Sequence, residues 1–184
     1  MRGRALHKLG LRAQDTAEIF FDDIRVPVES LLGQSEQGFS LLMRHLARER
    51  LVIAIAAVAS AEGVLARTVD YVRDRHAFGQ PIFNFQNTRF KLAEAKAEIT
   101  MARVFVDHCI ELLAEGHLPP DTAAIAKLQC SEILGRVVDN CLLLHGGYGY
   151  TWDYPVARNY VDARVLRIFG GTNEIMKELI ARAL

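Results

Sequence analysis

The sequence predicts a mainly α protein, an antiparallel helical bundle preceded by a short β segment. Three observations predict it. Three long stretches, 38–75, 85–115 and 119–145, carry apolar residues at the helical period rather than in alternation. The breaks between and after them are tight and built from helix-terminating residues, with Pro119-Pro120-Asp121, Gly146-Gly147, Pro155 and Gly170-Gly171. Residues 1–35 have a different character, rich in β-formers between Ala17 and Val26 and punctuated by Pro27 and Gly33.

Taken in order, residues 1–35 supply one or two short strands, too few to make an independent sheet, and residues 36–184 form the helical domain. The first helix spans Gly38 to Arg75, a rod of roughly 55 Å. Gly63 inside it costs about 1 kcal/mol relative to alanine, which packing has to offset. The second runs from Phe85 to Glu115, with Ala93, Ala97, Met101, Val104, Phe105, His108 and Leu112 along one apolar face. His108 on that face is expected to be a satisfied core histidine. The third opens at Pro119-Pro120-Asp121 and ends at His145, before Gly146. Pro155 suits the first turn of a shorter helix reaching Val165, and Thr172 caps the last, which runs through Ala183. Three long amphipathic helices joined by short loops make a bundle.

Composition narrows the function classes. Of 184 residues, 51% are hydrophobic and the formal net charge is zero, which argues for a globular chain and gives no electrostatic footprint for nucleic acid or an anionic membrane. Cys109, Cys130 and Cys141 lack metal-type spacing and read as reduced core thiols, implying a cytoplasmic location. No metal constellation is present. No apolar run reaches the ~20 residues of a membrane span, and no signal-peptide core follows the basic start, Met1-Arg2-Gly3-Arg4.

Two features carry chemistry. At 100° per residue, Leu42, Leu46, Ile53, Ala56 and Ser60 form a stripe with Glu49 in its middle and Arg50 at its edge. A carboxylate on such a stripe is either paired with a neighbouring arginine in Arg48-Glu49-Arg50 or desolvated, with its pKa raised for proton transfer. The second feature is the pair of glycine loops, Leu144-His145-Gly146-Gly147-Tyr148-Gly149-Tyr150 and Ile168-Phe169-Gly170-Gly171-Thr172-Asn173-Glu174-Ile175. Each either terminates a helix or brings backbone N–H groups close to a ligand. A helix starting at Thr172 would add the positive end of its dipole, suited to a pyrophosphate.

These motifs together resemble the acyl-CoA dehydrogenases. The signature comprises His145-Gly146-Gly147-Tyr148-Gly149-Tyr150, Asp153-Tyr154-Pro155, Asp162-Ala163-Arg164 and Gly171-Thr172-Asn173-Glu174-Ile175. It also includes Arg75-His76-Ala77-Phe78-Gly79-Gln80 with Gln86 and Lys91-Leu92-Ala93-Glu94. At the N-terminal end, Lys8-Leu9-Gly10-Leu11-Arg12, Phe20 to Pro27 and Leu32-Gly33 are similar to the end of the family's middle β-domain. The resemblance implies that the family's N-terminal helical domain and most of its β-domain lie outside this chain, lost by truncation or supplied by another chain.

It also implies an FAD-dependent α,β-desaturation of a fatty acyl-CoA thioester, with electrons passed to an electron-transfer flavoprotein. Most members place the catalytic glutamate directly before the Gly-Thr of the last loop, where this chain has Gly170. Long-chain and isovaleryl types carry it on the long helix, in a segment like Glu49-Arg50-Leu51. The long-chain type is the better match, so Glu49 is the expected base and the Gly170 N–H an expected donor to the thioester oxygen. By the same resemblance, Leu46, Arg50 and Phe169 face the acyl-CoA. Arg75, Gly146 and Gly147 reach FAD across a subunit interface, Phe78 and Gln86 neighbour its adenine half, and Thr172 and Glu174 reach it within the subunit. Leu143 stands where many members have glutamine, so one hydrogen bond to FAD is lost. The family forms homotetramers or homodimers. The competing expectation is a catalytically inactive helical oligomerisation module, and an acyl-CoA oxidase is a third. His145, Tyr148 and Trp152 are expected to pack rather than react.

Overall fold

The structure is a computed structural model and describes residues 2–184. Its three long helices are α1 (Gly38–Asp74), α2 (Gln86–Ala114) and α3 (Pro120–His145). Side-chain bonds fix how they run. Arg103 of α2 grips Glu62 of α1 with two bonds, Nε to Oε1 at 3.0 Å and Nη2 to Oε2 at 2.8 Å. Lys91 near the start of α2 donates to Asn140 near the end of α3, and Arg136 of α3 bonds Glu98. Tyr71 at the end of α1 donates to the carbonyl of His145 at the end of α3. The order is therefore up, down, up: each helix is antiparallel to the next, and α1 and α3 run parallel.

The core explains the arrangement. Helix α3 is buried on most of its circumference, and its small residues Ala123, Ala124, Ala126, Cys130 and Ser131 let neighbours approach closely. Leu51, Ala54, Ala57, Val58, Ala61, Val64, Leu65 and Val72 of α1 join Leu92, Ala95, Ile99, Ala102, Val106 and Cys109 of α2 in one cluster with Ile133, Leu134, Val137 and Val138 of α3. Full burial of each large side chain here contributes about 1.5–3 kcal/mol. Two shorter helices pack on α3: α4 (Pro155–Arg164) and α5 (Asn173–Ala181). Over part of its length α1 is long and apolar enough for a membrane span. A core helix of a bundle meets the same test, and the buried face of α1 packs on α2 and α3.

The one or two short strands expected in residues 1–35 are found, whereas two expectations for α2 need correction. The region from Ala17 to Val26 contributes only β2 (Ala17–Ile19), paired antiparallel with β1 (Arg2–Ala5), which the composition did not reveal. After Ile19 the chain is irregular, with a single 3-10 turn at Val28–Ser30. Most of the predicted apolar face of α2 is turned outward: Ala93, Ala97, Met101, Val104 and His108 are exposed, while Phe105 packs against the core and Leu112 is half-buried. The buried face is the adjacent one, about 100° round the helix: Thr88, Leu92, Ala95, Ile99, Ala102, Val106 and Cys109. Both faces are apolar, so periodicity alone could not choose between them. His108 is accordingly a surface residue beside Glu111, not a core histidine.

Local chemistry agrees with the sequence elsewhere. Pro120 and Pro155 occupy first helical turns, where their missing N–H costs nothing. A two-stranded ribbon, β3 (His76–Ala77) with β4 (Gln80–Pro81), turns through Phe78 and Gly79, both at positive φ (53° and 79°). That is the type I′ geometry that suits strand twist. Cys109, Cys130 and Cys141 are free and buried; burial pushes the Cys130 thiol up to about 12.

The N-terminal segment is anchored to α4. The Leu11 N–H donates to Asp162 Oδ1 at 2.6 Å, and the Arg12 guanidinium lies over the Trp152 ring at 4.8 Å. A Cβ on Gly10 would come within 2.5 Å of Asp162 Oδ1 and 2.9 Å of the Val161 carbonyl oxygen, so this close approach requires glycine.

Candidate active site and its flanking loops

The two glycine loops lie at opposite ends of α3. The first follows directly from its C-terminus. Gly146, at φ 59°, takes the C-cap position and its N–H bonds the Leu143 carbonyl, and 146–150 form a 3-10 turn. His145 is buried, its Nδ1 2.8 Å from the Cys141 carbonyl and its ring stacked on Tyr71 with centroids 4.1 Å apart. Burial lowers its pKa, opposed by the hydrogen bond to the Cys141 carbonyl. Tyr71, Arg75, Ile82, Leu143, Gly146, Gly147 and Tyr148 line a pocket of about 480 Å³. Arg75 lies over the Tyr148 ring at 5.6 Å and has no ion pair among the described residues. An exposed guanidinium beside bare glycine backbone is a fitting cradle for a phosphate.

Phe78 and Gln86 do not line this pocket. Phe78 is 95% exposed at the turn tip, its ring edge-on to Phe85. Gln86 begins α2 and is exposed. A bulky residue held at positive φ and exposed is unusual for a structure concerned only with its own packing.

The second loop closes against α1. Gly170 (φ 69°) lines a pocket of about 420 Å³ together with His45, Arg48, Glu49, Val52, Ile53 and Phe169. A Cβ on Gly170 would sit 2.4 Å from Ile53 Cδ1, so both the backbone conformation and the space favour glycine. Glu49, Phe169 and Gly170 thus meet in one cavity. Leu46 and Arg50 do not line it: Leu46 is half-buried and Arg50 is buried.

The stripe expected to carry Glu49 runs along the margin of the core rather than through it: Ile53 is buried and Leu46 and Ser60 are half-buried, but Leu42, Glu49 and Ala56 are exposed, and the core face centres on Leu51 and Ala54. Glu49 is therefore not desolvated by this chain. Arg50, expected at the edge, is 7% exposed, and its Nε is buried without a hydrogen-bond partner. Burial lowers its pKa, opposed by the Glu49 carboxylate.

The start of α5 is capped as the sequence predicts. Thr172 Oγ1 accepts from the Ile175 N–H at 3.4 Å. The Glu174 carboxylate is held below the usual range by its own backbone N–H and by the Thr172 hydroxyl. The helix end is therefore capped from within the chain.

Sequence reasoning missed the group behind this loop. Lys127 of α3 is completely buried; its Nζ donates to the Gly171 carbonyl and to Asn173 Oδ1, both at 2.8 Å. Asn173 Nδ2 donates to Ser131 Oγ at 3.1 Å and to Glu132 Oε1 at 2.7 Å. Glu132 in turn pairs with Arg167 at 3.1 Å. The signal was present: Lys127 stands with Ala123, Ala124, Ser131 and Leu134 on a single helical stripe of small and apolar residues.

Comparison with known proteins settles the family. The family model of the acyl-CoA dehydrogenase C-terminal domain matches residues 36–184. The chain belongs to the acyl-CoA dehydrogenase family. It is 50% identical over 184 residues to the mitochondrial long-chain specific acyl-CoA dehydrogenase of Sus scrofa, covering 100% of this chain and 43% of that protein. The corresponding Mus musculus protein is 49% identical with the same coverage. The crystal structure of an acyl-CoA dehydrogenase from Geobacillus kaustophilus superposes with a TM-score of 0.96 at 47% identity, covering 100% of this chain and 48% of that one. The chain thus spans just under half the length of these acyl-CoA dehydrogenases, and its helical bundle is their C-terminal fold.

Proposed function

We propose that this chain carries the catalytic-base half of a flavin-dependent acyl-CoA dehydrogenase acting on long-chain thioesters. The observation that carries the reading is that Glu49 and Gly170 line one pocket. The carboxylate and the backbone donor expected at the reacting carbons come from elements far apart in sequence, and the fold brings them together. Glu49 removes the α-proton of the acyl thioester. The Gly170 N–H donates to the thioester oxygen, where charge develops as that proton leaves, the site at which fixed donors contribute most. Phe169 and Leu46 exclude water from the acyl chain, and Arg50 holds positive charge behind Glu49. A bound FAD would supply the acceptor for the β-hydrogen, which leaves as hydride. The fit to FAD rests on Arg75 and the bare backbone of Gly146 and Gly147.

Lys127 and His145 are separated along α3 by about 27 Å at 1.5 Å per residue. This distance supports assigning the Gly146–Gly147 loop to the cofactor of a partner subunit and the Gly170 loop to the chain's own pocket. The assembly proposed is the family's homotetramer or homodimer, with an electron-transfer flavoprotein as the acceptor. Phe78, Gln86, Thr172 and Glu174 are proposed as further cofactor contacts, Thr172 and Glu174 only where the cofactor displaces the present cap. The three buried thiols support a reducing, cytoplasmic setting.

Because Glu49 is exposed in this chain, whatever binds over the pocket must exclude water from it. This exposure favours the second reading, a catalytically silent oligomerisation module. One experiment separates them. The chain is purified, loaded with FAD and titrated anaerobically with palmitoyl-CoA while the flavin spectrum is followed. Bleaching that disappears in Glu49→Gln supports the base assignment. Bleaching that survives the substitution overturns it, and a chain that takes up no flavin supports the silent module.

A further inference from the structure

The buried lysine behind the Gly170–Gly171 turn has a cost that packing alone does not explain. A lysine is among the residues least often found inside, and burying its ammonium is unfavourable unless fully paired. Yet Lys127 makes its two hydrogen bonds to neutral oxygens, the Gly171 carbonyl and Asn173 Oδ1, and to no carboxylate. Around it lie Glu132 and Glu174, and, unfavourably, the buried Arg50. A methionine of similar volume would fill the same space without that cost.

What the lysine holds is a segment unable to hold itself. Gly170 and Gly171 are consecutive residues at φ 69° and 97°, and glycine loses more conformational freedom on folding than any other residue. Two contacts oppose that freedom. On one side Gly170 abuts Ile53 of α1. On the other, the Lys127 ammonium clasps the Gly171 carbonyl, and Asn173, itself 3% exposed, is tied to Ser131 and Glu132. The clasp thus reaches from α3, through one residue, to the backbone that lines the Glu49 pocket.

We infer that Lys127 is a positioning residue that fixes the Gly170–Gly171 turn against α1 and so sets the geometry of the pocket lined by Glu49 and Gly170. It touches neither substrate nor cofactor; it acts through the Gly171 carbonyl and through Asn173. The consequence for turnover rests on the reading of that pocket as the thioester site, whereas the clasp itself does not.

The test uses the full chain and two readouts. Hydrogen exchange is measured peptide by peptide in wild type and Lys127→Met. Removing hydrogen bonds from a charged donor is expected to speed exchange across 168–175 by about tenfold or more. Peptides in the cores of α1 and α2 should be unchanged. If exchange at 168–175 does not change, the inference is overturned. If it rises equally throughout the bundle, Lys127 is a packing residue and the inference is again overturned. Asn173→Ala opens the same clasp from the loop side and carries the same expectation should Lys127→Met fail to fold. The second readout is flavin bleaching by palmitoyl-CoA in the FAD-loaded chain. The limiting rate should fall about tenfold while the half-saturating concentration changes less than about twofold, the split expected of lost positioning rather than lost binding. If wild type shows no bleaching, the thioester reading fails, and the exchange measurement still decides the clasp.

Discussion

Lys127 is the residue whose charge this fold disfavours most clearly. Burial pushes its ammonium down from the ordinary 10.5 to about 8. Glu174 and Glu132 oppose that shift and Arg50 adds to it. The sign for stability follows directly. Between about pH 8 and pH 10.5 the unfolded chain still holds a proton that the native lysine has shed, so this group makes the native state more stable as pH rises. Relative to Lys127→Met, wild type should therefore gain on the order of 2 kcal/mol between about pH 7.5 and about pH 9.5. Urea midpoints of the two proteins at both pH values measure this, and parallel shifts would sink it. Legibility in the sequence divides along the same line. Glu49, Phe169 and Gly170 could be named from motif and resemblance, and the fold brings them to one pocket. Which flank of α1 is buried was not legible, because Glu49 and Arg50 are adjacent and a rotation of 100° exchanges their environments. Lys127 was passed over because a charged residue in a helix is normally assigned to a solvated face.

At the scale of elements, glycines within helices show why context decides the sign of a substitution. Gly63 in α1 and Gly135 in α3 are both helical, where alanine is favoured by about 1 kcal/mol. A Cβ on Gly63 would meet the nearest atom, Arg67 Nη1, at 3.5 Å, an ordinary contact with a flexible tip. Gly63→Ala should therefore stabilise the bundle by roughly 0.5–1 kcal/mol, read as a higher urea midpoint. At Gly135 the same Cβ would lie 1.9 Å from Arg167 Nη2 and 2.5 Å from its Cζ. The guanidinium would have to leave α3 and give up Glu132, whose side chain it pairs with and whose carbonyl it also reaches. Hydrogen bonds of a charged group are worth about 1.5–3 kcal/mol, so Gly135→Ala should destabilise by roughly 1 kcal/mol despite its better helix propensity. A higher midpoint for Gly135→Ala would show that the Arg167 contact contributes little. Helix limits were the most legible part of this fold. Pro120, Pro155, Gly146 and Thr172 act through local backbone chemistry, which a sequence displays directly. Strand pairing was less so: β1 gains its order from β2, which lies more than ten residues away.

For the whole molecule, order is unevenly distributed, and its distribution bears on which functional reading holds. No residue between 2 and 37 is buried, whereas α3 is buried on most of its circumference. Ile19, Phe20, Phe21, Ile24, Val26, Val28, Leu31 and Leu32 are all exposed in that stretch. They form more apolar surface than a self-sufficient protein leaves open. Further apolar residues, Phe39, Leu42, Met43 and Val52, continue it along the open side of α1 toward the Glu49 pocket. Segments with few buried contacts open locally at little cost. In the dilute isolated chain the amides of 17–37 should exchange orders of magnitude faster than those of 51–72 and 123–142. Limited trypsin should cut first at Arg25, leaving the bundle intact. The link from Leu11 to Asp162 should keep residues 2–12 attached longer than 20–37, and Asp162→Ala should remove that difference. If the chain works as part of an assembled dehydrogenase, protection of 19–32 should appear together with flavin uptake as concentration is raised or a completing chain is added. A silent bundle would gain protection on the outer face of α2 alone, around Met101 and Val104. Strong protection of 19–32 in the dilute chain would contradict this division of the molecule, because it would require a core for that segment that the fold does not contain.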